Sequence, residues 1–164
     1  MSTELDARVS TLLDRYDGPS ACAAELLCDR HPADQIACTV VEADLSAHDL
    51  TYGELRERSQ RFAAALAELG VEPGDRVATL MAKSAELVVA LLGIWRRGAV
   101  HVPLFTAFAA PAIDFRLAAS RAKVVVADAD QAPKLGESGL HTIIVGGTAP
   151  SGTLGWDVLL AAHR

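Results

Sequence analysis

Near the N-terminus, Leu5, Val9, Leu12 and Tyr16 recur at a spacing that places them on one stripe of a helix. The turn Asp17-Gly18-Pro19 ends that helix. Ser20 stands where it can cap a second helix, which runs through Leu27 and stops near Pro32. The β-branched run IACTVV (Ile36–Val41) then predicts a strand, and the polar EADLSAHD turns the chain toward Leu50. Thr51 and Glu54 have the spacing of a capping box, in which the Thr51 hydroxyl accepts from the Glu54 amide and the Glu54 carboxylate answers the Thr51 amide. Leu55, Phe62, Leu66 and Leu69 follow at helical spacing, and Gly70 is placed to stop the helix in a left-handed conformation.

From Arg76 onward the pattern alternates. Pro73-Gly74-Asp75 is a turn, 76–81 a strand, and Ser84 caps a helix over 85–97. Arg96 and Arg97 in its last turn suit the negative end of the helix dipole, and Gly98 ends it. Residues 99–102 form a strand, Pro111 sits in the first turn of a helix carrying Ile113 and Leu117, and 123–127 and 141–145 are strands. A short helix over 156–163 closes the chain. The strands are continuously apolar rather than alternating, which is the mark of a parallel sheet buried on both faces. The expected fold is therefore α/β: doubly wound, with a mostly parallel sheet flanked by helices. One domain is expected overall, with an N-terminal helical segment over 1–35 and an α/β subdomain over 36–164.

Composition narrows the function classes. The chain has 164 residues, and a domain of about 150 residues buries roughly two-thirds of its unfolded surface. It is 51% apolar but only 5% aromatic, so the core must be built from Ala, Val and Leu. A net charge of −6 speaks against nucleic-acid or anionic-membrane partners, which need a basic patch. The closest basic cluster, Arg56, Arg58 and Arg61, shares its helix with Glu54 and Glu57 and reads as a solvated face. Cys22, Cys28 and Cys38 are odd in number and contain no CxxC, so reduced thiols in a cytoplasmic protein are expected rather than a disulfide frame. The N-terminus is acidic and amphipathic, unlike a signal peptide, and the longest apolar stretch, 87–95, is too short to span a bilayer.

Candidate chemistry is sparse. Cys28 and His31 have the spacing of half a metal site, with no second half. GGTAPSGTLG (146–155) follows a strand and precedes a helix, as a phosphate cradle would, but has no lysine and reads as a surface loop. His101 lies inside a strand, where a lone histidine is more often a sheet-face residue than a general base. Asp128 and Asp130 follow a strand's C-terminal end, where α/β sheets hold ligands and two acids could meet a ribose or a metal, but they are also ordinary turn formers, and the turn is the favoured reading. No catalytic, cofactor-binding or metal residue is assigned.

Several motifs in order nevertheless resemble a family. LTYGEL (50–55) is similar to the first core motif of the adenylate-forming superfamily, Gly74-Asp75-Arg76-Val77 to its turn into a strand, and the segment 91–103 with Gly98 and Val102-Pro103 to its second core motif. LLCDRHPAD (26–34) resembles the preceding helix end, and PLFTAFAAPAIDFRL (103–117) the acetyl- and medium-chain acyl-CoA synthetase version, with Ala109 or Ala110 where glycine is usual. The chain thus resembles the N-terminal subdomain of AMP-forming acyl-CoA synthetases. That resemblance implies ATP, Mg²⁺ and CoA for the full-length enzyme and a role in fatty acid metabolism. The phosphate loop with its lysine and the catalytic lysine of the C-terminal domain have no counterpart in this sequence, so the chain alone is expected to bind none of these cofactors and to be inactive. Some members place arginines after the strand equivalent to 123–127 to meet the CoA phosphate; here only Lys134 is available, and the role is not transferred. The alternatives are a free-standing, non-catalytic partner module of the same fold, or part of a peptide-synthetase adenylation domain. Surface left uncovered by missing sequence implies self-association to a dimer or higher oligomer, and the rest of the synthetase is the expected partner if the enzyme is split.

Overall fold

The computed structural model describes residues 2–18, 21–42, 44–136 and 139–163, without the side chains of Ser2 and Arg15. Helix α1 (Ser2–Tyr16) holds Leu5, Val9, Leu12, Leu13 and Tyr16 exposed. The expected second helix is a π-helical turn, Glu25–Asp29, further along the chain than the pattern implied; Ser20, its expected cap, lies outside the described residues. The polar stretch after β1 (Ile36–Val41) is not all turn. Its last residues form β2 (Ala47–Thr51), which pairs antiparallel with β1 in a separate two-stranded sheet.

Helix α2 (Tyr52–Glu68) starts at the capping box the sequence implied: the Thr51 hydroxyl accepts from the Glu54 amide at 3.2 Å, and the Thr51 amide donates to the Glu54 carboxylate at 2.8 Å. Bonds from Thr51 hold the Glu54 carboxyl below its ordinary pKa. Gly53 is required by a close approach, since a Cβ there would lie 2.9 Å from the Ala33 carbonyl oxygen, which accepts the Gly53 amide at 2.8 Å. Gly70 ends the helix at φ +75°.

The main sheet has five parallel strands in the order β4-β3-β5-β6-β7: β3 (Arg76–Leu80), β4 (Val100–Pro103), β5 (Val124–Asp128), β6 (His141–Val145) and β7 (Leu154–Gly155). Helix α3 (Ala85–Arg96) connects β3 to β4, and α4 (Ala110–Ser120) carries the chain back past β3 to β5. Parallel crossovers are right-handed, so reversing direction moves the connecting helix to the other face. The packing agrees. Val77, Val124, Val126 and Ile143 join the core under α2, α3 and α5 (Trp156–Ala162), while Ala78, Leu80, Val125, Ala127 and Ile144 join the core under α4. The glycine-rich run 146–155 is mostly loop, as expected, but its end contributes the edge strand β7.

Four arginine assignments from sequence are corrected by packing. Arg56 and Arg58 do not line a solvated face. Arg56 donates to the Asp29 and His31 carbonyls at 2.8 and 3.3 Å, and Arg58 pairs with Glu86 of α3 at 3.3 Å. Arg96 is not simply a dipole counter-charge: its guanidinium grips both oxygens of the Asp29 carboxylate and donates to the buried Ser59 hydroxyl at 2.9 Å. Arg97 donates to the Val71 carbonyl at 2.6 Å. Long side chains with apolar stems cross the helix interfaces here, and the carboxylate and carbonyls they meet come from distant sequence, which periodicity does not reveal.

Candidate functional site

In an open α/β sheet, ligands bind beyond the C-terminal strand ends where the winding direction reverses. Here that point lies between β3 and β5, because the chain leaves β3 toward β4 but leaves β5 toward β6. Asp128, the last residue of β5, reaches across this crevice, and its carboxylate accepts the Ala82 amide at 2.6 Å. Burial pushes the Asp128 carboxyl above its ordinary pKa, and Asp130 and Glu86 reinforce the rise against the favourable Ala82 bond. Asp128 is thus more than the turn former the sequence allowed. It is a partly buried strap that ties the end of β5 to Ala82, just beyond β3.

The neighbouring loops do not fit a phosphate. The short 3₁₀ turn Ala132–Lys134 follows β5, and the Lys134 ammonium donates to the Thr106 carbonyl in the β4–α4 connection. Lys134 therefore ties two loops together, and the acids Asp128 and Asp130 belong to the same segment. Beside it Phe105 packs edge-on against Phe108 at 5.3 Å between centroids, with Arg116 stacked 4.1 Å over the Phe108 ring. These residues do not fit the phosphate of CoA, and no step through that group is assigned to them.

His101 is a sheet residue with a structural partner. Its Nε2 lies 2.8 Å from the hydroxyl of Thr79, a buried side chain on the adjacent strand that would otherwise lack a bond. Burial lowers the His101 pKa, so the neutral ring is the favoured form. Cys28 is buried with its thiol directed to the Tyr52 carbonyl at 3.5 Å, and burial raises its pKa. His31 stacks on Tyr52, 4.1 Å between centroids. Cys28 and His31 are accordingly packing residues at the base of α2. Among the described residues, no group of three or more His, Cys, Asp or Glu is arranged to hold a metal ion. No helix among them is long and apolar enough to cross a membrane.

The family motifs have mechanical roles. In the turn before β3, the Asp75 carboxylate accepts the Glu72 amide at 2.8 Å and pairs with Lys123 at 2.6 Å, while Arg76 donates to the Ser120 and Arg121 carbonyls at 2.7 and 2.9 Å. These contacts fasten the start of β3 to the start of β5 and the end of α4. Sequence inspection did not single out Asp29, Ser59 or Gly93. No pattern at short range marks them, because each is defined by a partner on another element.

The capped α2, the glycine-stopped α3 and the strapped switch point belong to a doubly wound α/β domain. The model of the family described as AMP-binding enzyme matches residues 25–157, and the chain belongs to that family. The acetyl-coenzyme A synthetase of Chlorobaculum tepidum is 49% identical over 77 residues, 47% of this chain and 12% of that protein. A plipastatin synthase of Bacillus subtilis is 41% identical over 80 residues, 49% of this chain and 3% of that protein. The crystal structure of the Brucella canis acyl-CoA synthetase superposes with a TM-score of 0.86 at 33% identity, covering 95% of this chain and 30% of that one. The chain thus spans less than a third of the length of each of these relatives.

Proposed function

We propose that this chain is the N-terminal part of an AMP-forming acyl-CoA ligase and that, isolated, it catalyses neither half of the reaction. The parent joins a short- to medium-chain carboxylic acid to CoA in fatty acid metabolism. The carboxylate attacks ATP to give an acyl-adenylate and pyrophosphate, and the CoA thiol then displaces AMP; ATP, Mg²⁺ and CoA are its cofactors. The observation that carries this reading is the likeness to the Brucella canis acyl-CoA synthetase along 95% of this chain but only 30% of that one. Low net basicity and free cysteines among the described residues support a cytoplasmic location.

The test is carboxylate-dependent exchange of pyrophosphate into ATP by the purified 164-residue chain. No exchange above the no-enzyme control is expected with acetate, butyrate or octanoate, and measurable exchange with any of them overturns the reading. The likeness to the plipastatin synthase keeps a second reading, part of a peptide-synthetase adenylation domain, and a free-standing partner module is the third. The DNA following the Arg164 codon separates them. A frame that opens with a phosphate loop and continues into a CoA ligase supports the proposal. One that continues into a carrier domain supports the second reading, and a stop with no partner frame supports the third.

A further inference from the structure

At its far end helix α5 is hydrogen-bonded to α2 through His163. The His163 ring sits just after α5, with Nδ1 2.7 Å from the Leu159 carbonyl oxygen and Nε2 2.6 Å from the Glu68 carboxylate. Both partners are acceptors, so both ring nitrogens must donate for the bridge to be complete. A neutral imidazole carries one N–H and a lone pair on the other nitrogen. Only the imidazolium satisfies both contacts at once; the neutral ring turns a lone pair toward either a carbonyl or a carboxylate.

The bridge spans a cavity. Ala65 and Leu69 of α2, Leu154 of β7, and Val158, Leu159 and Ala162 of α5 line an apolar space of about 330 Å³, with Glu68 and His163 at its rim. On the other side of His163 a second space is lined by Glu57, Gln60, Arg61 and Ala64. The charged groups facing His163 from α2 are therefore Glu68, which it bonds, and Glu57 and Arg61, which pair with each other. From α5 the Leu159 carbonyl faces it, with Asp157 at the opposite end of that helix; the β7 residues Leu154 and Gly155 bring no charge. At its near end α5 is held by Trp156, whose ring lies 4.8 Å from Phe62. In its last turn the buried Leu160 packs into the core, and the polar tie to α2 just beyond it is His163.

We propose that His163 is a proton-operated latch that fastens the last turn of α5 to Glu68 of α2 at the rim of the apolar groove between the two helices. In acid the imidazolium donates to both partners and the turn is closed. As pH rises through the pKa of His163 one donor is lost, and the end of α5 frays from α2. The bonds to Leu159 and Glu68 raise the folded-state pKa above the ordinary 6.5. The contribution to stability is therefore complete below 6.5 and lost as pH rises through the raised folded value.

The experiment is a proton NMR titration of the histidine rings in the intact chain, with amide hydrogen exchange of Leu160, Ala161 and Ala162 measured at pH 6 and pH 8 and corrected for intrinsic rates. His163 is expected to titrate above 6.5 and to fall toward that value in Glu68→Gln, which keeps an acceptor but removes the charge. Protection of the three amides is expected to drop several-fold from pH 6 to pH 8 in the native chain and not to change in His163→Gln. A His163 that titrates at or below 6.5, or amides equally protected at both pH values, overturns the latch. Trp156 fluorescence at each pH reports whether the core contact with Phe62 persists, so that global unfolding is not read as unlatching.

Discussion

Asp128 is the residue where environment most changes what composition implies. An aspartate after a strand is an ordinary turn former, yet this one is partly buried, near Asp130 and Glu86, and bonded to one amide. Its carboxyl pKa is raised, so its contribution to stability is full below the ordinary 3.8 and is lost as pH rises through the folded value. Asp128→Asn keeps an acceptor for the Ala82 amide without the charge. It is expected to be at least as stable as the native chain at pH 7, with the difference shrinking as the pH falls toward 4 in urea unfolding. Asp128→Ala removes the acceptor and is expected to cost about 1 kcal/mol at pH 7. A pH-independent difference between Asp128→Asn and the native chain would contradict this account.

Between elements, the decisive contacts are those made by α2 and α3. Gly93 of α3 faces α2 so closely that a Cβ would lie 2.6 Å from the Phe62 ring and 3.1 Å from the Ser59 carbonyl oxygen. Gly93→Ala must push the helices apart, and overpacking of this kind costs about 1–3 kcal/mol, read as a lower denaturation midpoint with unchanged secondary structure. Arg96 joins α3 to the π-helical turn through Asp29, whose carboxyl the bonds from Arg96 hold below its ordinary pKa. That contribution is present above 3.8 and lost as pH falls through the lowered folded value. Arg96→Ala leaves the partly buried Asp29 carboxylate with only the 3.4 Å contact to Arg56 and is expected to cost about 1.5–3 kcal/mol near neutral pH, with the deficit narrowing in acid. Arg96→Lys, which cannot grip both oxygens and Ser59 together, is expected to fall between the two.

The same scale explains what could be read in advance. The capping box, the Gly70 stop and the strands 76–80, 100–103, 124–128 and 141–145 lie within a residue of their expected places, because each rests on local chemistry or a continuous apolar run. The hairpin partner β2 was hidden because AHDLT carries no apolar face; three of its residues are exposed, and pairing with β1 alone makes it a strand. The roles of Arg56, Arg58 and Arg96 were hidden for a related reason. A cation's spacing says which face of its helix it occupies, not that a carboxylate from a distant turn waits there. The site was legible only as an address, since the strap at the switch point depends on how deeply Asp128 is buried.

For the whole molecule, the exposed apolar side chains form the larger question. Leu5 and Leu12 of α1, Phe105 beyond β4, Phe115 on α4 and Val158 on α5 are all at least half exposed. On α1, Leu5 and Leu12 lie with Val9 and Tyr16 along one exposed stripe of a single helix, and a contiguous apolar surface of that kind is one that other protein covers. The chain is expected to run above its 17.3 kDa monomer mass in light scattering at tens of micromolar, about the range where exposed apolar surface associates, and to shift toward monomer in Leu5→Glu/Leu12→Glu. A monomer at every concentration would show that these side chains tolerate water.

The strand order carries a last consequence, in time rather than in space. β3 is the first strand of the main sheet to leave the ribosome and becomes its interior member; β4 docks on one flank, and β5, β6 and β7 then add outward on the other in the order they are made. No strand has to be inserted between two already paired. Each new strand can therefore dock on an edge already made: β4 and β5 on the two edges of β3, β6 on β5 and β7 on β6, so that the β6 edge is the last to be sheltered.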